Sequence, residues 1–288
     1  MRKYGPVVTR SLSAASVWLV IFMMPSLLQA HVVMLNPPAR SSDTDLTLAP
    51  CGEIPPGQSM ATFTTGANID INSNLAVRHT NLLFAEISFD NFATKTQLGN
   101  VTTPRAGRYK INVTLPDGPT GPAVLRVTDG NYVSCADITL SDESVFEINA
   151  GVNDAWYFPG TDGQGYFIIA FPELQLLYLA WFTYDVERPP EDVEAILGDP
   201  GHRWITAVGP YAGDTAMLDI TVTSGGVFDM SEPVPENSAP DSVGTMEVKF
   251  ESCTSGVVKY NMPDLGLAGE VPIQRVVNDN VALCEALD

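Results

Sequence analysis

His31 and His79, two of only three histidines in 288 residues, and Tyr132 are the residues whose types and positions offer chemistry beyond packing. His31 follows a stretch built like a removable export signal: Arg2, Lys3 and Arg10, an apolar run over 14–28, then Leu28-Gln29-Ala30 ending in a small residue. Cleavage after Ala30 makes His31 the first residue, so that a free α-amino nitrogen and an imidazole on one residue can close a chelate ring on a metal. An N-terminal amine titrates at about pH 7.7–8.0, so a metal displaces its proton at modest cost. With the His79 imidazole the set becomes three nitrogens in a T-shaped plane, the tetragonal kind of site that copper(II) prefers. One position is then left for dioxygen, peroxide or water. An uncleaved membrane anchor needs roughly 20 apolar residues, whereas Pro25 and Ser26 interrupt this run. The expected localisation is therefore secreted or periplasmic, with no membrane association after cleavage.

Charge narrows the partners. The chain carries 15 Lys and Arg against 34 Asp and Glu, a net charge of −19. An excess of that size excludes nucleic acid and disfavours anionic lipid. The excess is uneven: residues 31–142 are close to balanced, whereas 143–288 hold most of the acids. With the length left after cleavage, that asymmetry favours two domains, 31–142 and 143–288, behind a signal peptide over 1–30. Four cysteines divide equally between them, Cys51 and Cys135, then Cys253 and Cys284. In an exported protein this suggests one disulfide per domain, and the absence of a C-x-x-C pair argues against a thiolate zinc site.

The elements that must position the histidines read as strands. Short alternating segments recur at 68–71, 82–89, 107–115, 123–127 and 134–140. In the segment 107–115, Tyr109, Ile111, Val113 and Leu115 fall on one face. The pattern is that of an antiparallel sandwich, with Pro116-Asp117-Gly118 as a turn. Aromatic-rich strands continue at 155–158, 163–169, 176–184, 203–209, 216–223, 246–250 and 257–260, separated by Gly and Pro. The acidic stretch 187–199 reads as a solvated loop or short helix. The fold class expected is all-β: one sandwich followed by a second antiparallel β-rich domain.

Several pieces now resemble the lytic polysaccharide monooxygenases, copper enzymes with a histidine brace, and their small copper-binding relatives. They are His31-Val32-Val33-Met34-Leu35-Asn36-Pro37-Pro38-Ala39-Arg40, Pro50-Cys51-Gly52, His79 ahead of a strand, and Asn131-Tyr132-Val133-Ser134-Cys135-Ala136-Asp137-Ile138. The resemblance covers about residues 31–140. It implies an immunoglobulin-like sandwich, copper on His31 and His79, Tyr132 on the copper axis, and a Cys51–Cys135 disulfide. It also implies a polysaccharide substrate of chitin or cellulose type and an external electron donor if the protein is an enzyme. This stretch departs from the family in being short, in lacking Trp between 31 and 142, and in showing no clear acid or amide beside the copper-bound oxygen. Glu86 and Asp137 are the candidates for that group.

Plainer readings stand beside these. His79 also suits a strand edge, Tyr132 a core aromatic, Asp137 a structural carboxylate, and Arg78 a solvated charge or a substrate contact. His202, in Pro200-Gly201-His202-Arg203-Trp204, reads as an exposed loop residue. The Trp and Tyr residues of the second half suit core packing, with sugar stacking as the alternative. Three functions follow: a copper monooxygenase cleaving polysaccharide oxidatively, a copper-binding or copper-delivery protein with the same brace, and a non-catalytic adhesion or carbohydrate-binding protein.

Overall fold

The computed structural model describes residues 31–288 other than 44, 45, 48, 49, 196, 199 and 224–241. The export signal expected over 1–30 lies outside the described residues. Eight strands form first: β1 (Val32–Asn36), β2 (Thr62–Thr64), β3 (Asn68–Leu75), β4 (Leu82–Ser88), β5 (Thr96–Thr102), β6 (Gly107–Thr114), β7 (Gly121–Asp129) and β8 (Tyr132–Ser141). They make a three-stranded sheet, β1-β3-β6, and a five-stranded sheet, β2-β8-β7-β4-β5. All pairs are antiparallel except β2 with β8. Ile71 and Ile111 of the first sheet and Leu83, Leu125 and Ile138 of the second share one buried cluster. The alternation in β6 has its expected consequence: Ile111, Val113 and Leu115 are buried while Arg108, Lys110, Asn112 and Thr114 are exposed. Each such inward side chain adds about 1.5–3 kcal/mol of burial free energy, so a one-residue slip would invert the sheet.

The remaining strands are β9 (Asp154–Tyr157), β10 (Gly165–Phe171), β11 (Leu176–Tyr184), β12 (His202–Ala212), β13 (Thr215–Val222), β14 (Gly244–Phe250), β15 (Ser255–Met262) and β16 (Leu267–Arg275). They close into an antiparallel barrel because β9 pairs with both β10 and β16. The interior is filled by Trp156, Ile168, Leu179, Leu218, Val248 and Phe250, so it is a packed core. Among the described residues the only α-helix is α1 (Val281–Leu287), tied to the barrel by the Cys253–Cys284 disulfide. Arg275 is 4% exposed and bonds Asp154 Oδ2 at 2.6 Å, with its guanidinium 4.7 Å from the Trp156 ring centre.

The described residues of 187–199 form neither helix nor strand, in keeping with the loop alternative. One expectation changes: His202 is exposed as expected but is the first residue of β12 instead of a loop residue. The sheets and the barrel meet at Gly213, which follows β12. With φ +55, a Cβ there would stand 2.3 Å from the Thr62 carbonyl oxygen, so only glycine permits the approach. The Gly213 carbonyl accepts from Ile148 N at 2.8 Å, and Asn72 Nδ2 donates to Gln175 Oε1.

Candidate metal centre

The β1–β3 register sets Val32 opposite Leu75, and Ala76 N donates to the His31 carbonyl at 3.2 Å. His31 therefore sits where the chain leaves β3 for the turn that carries His79. That turn is held by one carboxylate. Asp129, fully buried at the end of β7, accepts from His79 N at 2.8 Å, from Thr80 N at 2.8 Å and from Thr80 Oγ1 at 2.7 Å. Asp129 pairs across the β7–β8 hairpin with Tyr132, the first residue of β8. The hairpin glycine, Gly130, has φ +64, and a Cβ on it would press on Thr80 Cγ2 at 3.3 Å. β1 is fastened to β8 by Met34 N donating to Ser134 Oγ at 2.9 Å.

These constraints bring three distant rings together. The His31 and Tyr132 rings stack with centroids 3.4 Å apart and planes 2° apart. His79 lies 4.6 Å from His31 and 4.6 Å from Tyr132, with interplanar angles of 30° and 28°. His31 Nδ1, the imidazole nitrogen that could close a ring with the amine, is shielded from solvent.

The donor chemistry suits copper, since two imidazoles converge and the third nitrogen expected is the His31 amine. Among the described residues no group of three or more His, Cys, Asp and Glu assembles. The two imidazoles and the His31 amine would hold the metal, with the Tyr132 ring lying flat against His31 beside them.

The two carboxylates considered for the metal's neighbourhood are committed elsewhere. Glu86, 6% exposed, accepts from Arg126 Nη2 at 2.6 Å and Nε at 3.0 Å, and pairs with Lys95. Burial pushes its pKa up, but the hydrogen bonds from Lys95 and Arg126 outweigh that and hold it below the ordinary glutamate value. Asp137 forms a two-pronged pair with Arg40, both contacts at 2.6 Å, and accepts Gly57 N at 3.0 Å. It is a structural carboxylate that anchors the segment after β1. Glu86, Lys95, Arg126, Thr128, Asn131 and Tyr132 border a cavity of about 620 Å³. Arg78 ties its turn down by donating to Asn81 Oδ1 at 3.0 Å and to the Thr103 and Pro104 carbonyls at 3.3 and 3.2 Å.

Cys51 and Cys135 are bonded, and Cys135 lies on β8 three residues beyond Tyr132. Sequence reasoning missed Asp129 and Ser134. The signal for Asp129 was its place at the start of the Asp129-Gly130-Asn131 turn, but a turn aspartate usually caps its own loop, whereas this one reaches the neighbouring turn. In the barrel, Trp156 and Trp181 are core residues, and Trp204 is 59% exposed. No family model matches the chain, and no curated protein matches it.

Proposed function

We propose that the exported chain, cleaved before His31, binds one copper ion through the His31 amine, the His31 imidazole and the His79 imidazole, with the Tyr132 ring packed beside them. The observation that supports it is the convergence of His31 ahead of β1, His79 between β3 and β4, and Tyr132 at the start of β8 into one ring cluster. Asp129 fixes the turn carrying His79, and Ser134 fixes the strand that follows His31. Such second contacts orient metal-binding residues and tune their affinity. The two disulfides fit an oxidising compartment.

When bound, copper would supply one-electron chemistry, and the chain's residues decide whether that chemistry reaches a substrate. The oxidative reading, cleavage of chitin or cellulose with an external electron donor, calls for a free acid or amide beside the metal. Glu86 and Asp137 are instead locked to arginines. We therefore place copper holding or delivery ahead of polysaccharide oxidation.

The test begins with N-terminal sequencing of the secreted protein, followed by copper titration monitored by electron paramagnetic resonance. A chain beginning at His31 is expected to give one tight type 2 signal, lost in His79→Ala and in a chain extended by one alanine ahead of His31. A different N-terminus, or no tight site, overturns the reading and leaves the adhesion or carbohydrate-binding alternative. Release of oxidised oligosaccharides from chitin or cellulose with a reductant would reverse the preference for copper holding.

A further inference from the structure

The outside of the barrel has two unlike halves. Outward positions alternate along each strand, so the register identifies them: Phe182 stands beside Trp204, Phe167 beside Ala180 and Thr206, and Ile169 beside Tyr178 and Val208. None of the outward positions of β10, β11 and β12 carries Asp, Glu, Lys or Arg. The opposite half, β13 to β16, presents Asp219, Glu247, Lys249, Lys259 and Glu270, with Lys259 reaching both Glu247 and Glu270. The uncharged half is also highly exposed, with Phe167 at 53% and Trp204 at 59%. Phe167 meets Phe182 edge to face at 5.4 Å, and Phe182 stacks on Trp204 at 6.2 Å, so the rings form one continuous surface.

Exposed surfaces of soluble domains ordinarily carry about 25–35% charged residues. A three-strand face without any charge, in a chain of net charge −19, is a surface meant to be covered. We propose that the β10–β12 face is the contact between two copies of this chain, packed face to face about a two-fold axis. The apolar area offered by Phe167, Ile169, Phe171, Phe182, Trp204 and their neighbours is on the order of 600 Å². A standard interface buries about 800 Å² per partner, about 65% of it apolar in homodimers, so the face supplies what one side of a dimer needs. Its aromatic enrichment and lack of Lys, Glu and Asp match the core of such interfaces. A self-complementary contact also needs no opposite charge, and this face offers none. An anionic lipid surface would be repelled by the acidic chain.

Sedimentation equilibrium of the full mature chain at micromolar concentrations tests this. The expected result is twice the chain mass, with Trp204→Asp and Phe167→Asp each returning the mass to that of one chain while circular dichroism is unchanged. Dimer affinity is expected to rise with salt, because screening relieves repulsion between two acidic chains. If a variant does not fold, hydrogen exchange of the wild-type chain decides. Protection that grows with concentration over 165–171, 176–184 and 202–210 supports the contact, and protection elsewhere overturns it. A wild-type chain that stays single overturns the proposal, also when it pellets with a neutral polysaccharide or with uncharged vesicles, since the face then serves another occupant. A dimer that survives both substitutions overturns it too.

Discussion

The two-sheet region and the barrel both bury an apolar core, but they differ in the polar groups buried with it. Inside the sheets and at their edges lie Glu86, Arg126, Asp129, Ser134 and Asp137, all buried and all bonded. The barrel holds Trp156, Ile168, Leu179, Val248 and Phe250, with charged groups such as Asp154 and Arg275 confined to one end. Yet most of the chain's acidic excess belongs to residues 143–288, and among the described acids there Asp219 and Glu270 are exposed on the barrel's strands. The difference teaches where geometry is specified. Apolar packing resists unfolding but tolerates rearrangement, whereas a buried carboxylate has one satisfactory arrangement of donors. The ring cluster sits where buried polar contacts are dense.

The largest effect expected is on the barrel. Trp156→Ala removes a fully buried ring, its Nε1 hydrogen bond to Val152 O at 3.0 Å and its contact with Arg275. It should cost about 3–5 kcal/mol in urea unfolding and leave copper affinity of the surviving fold unchanged. A parallel loss of copper affinity would mean the two regions are not independent.

Asp129→Ala comes next. It leaves His79 N and Thr80 N without their acceptor, a cost of about 2–3 kcal/mol. Copper affinity should fall with it, read by competition titration, while Asp137→Asn weakens folding without touching the metal. Equal copper affinity in wild type and Asp129→Ala would break the link between buried polar contacts and site geometry.

The smallest effect is acid sensitivity. Because Glu86 is held below the ordinary glutamate pKa, its contribution is complete above about pH 4.3 and is lost as pH falls through its lower folded value. The protection of β4 and β7 amides, relative to their intrinsic exchange rate at the same pH, should therefore fall below pH 4, and Glu86→Gln should remove that step. The effect is modest because Lys95, one of the two partners, is half exposed.

How much was legible varies with the element. The strand at 107–115 and its buried face follow from alternation alone, and so do most strands of the second half. β5, Thr-Gln-Leu-Gly-Asn-Val-Thr, was missed because an edge strand with little buried surface shows little hydrophobic period. β16 was masked by Gly269 and Pro272, which read as breakers. His31, His79 and Tyr132 were selected by residue type and resemblance, but Asp129 was not, because its partners lie about fifty positions away in the chain.

The sequence by itself determined what is local: the period-two faces, the division of cysteines into two pairs, and the scarcity of histidine that singles out His31 and His79. Only the tertiary structure decided that β9 closes a barrel, that Asp129 grips the neighbouring turn, and that the uncharged positions of β10, β11 and β12 lie side by side. Alternation is a property of neighbours along the chain, and it tells a residue which way to face. Pairing is a property of segments far apart, and it alone tells that face what it meets.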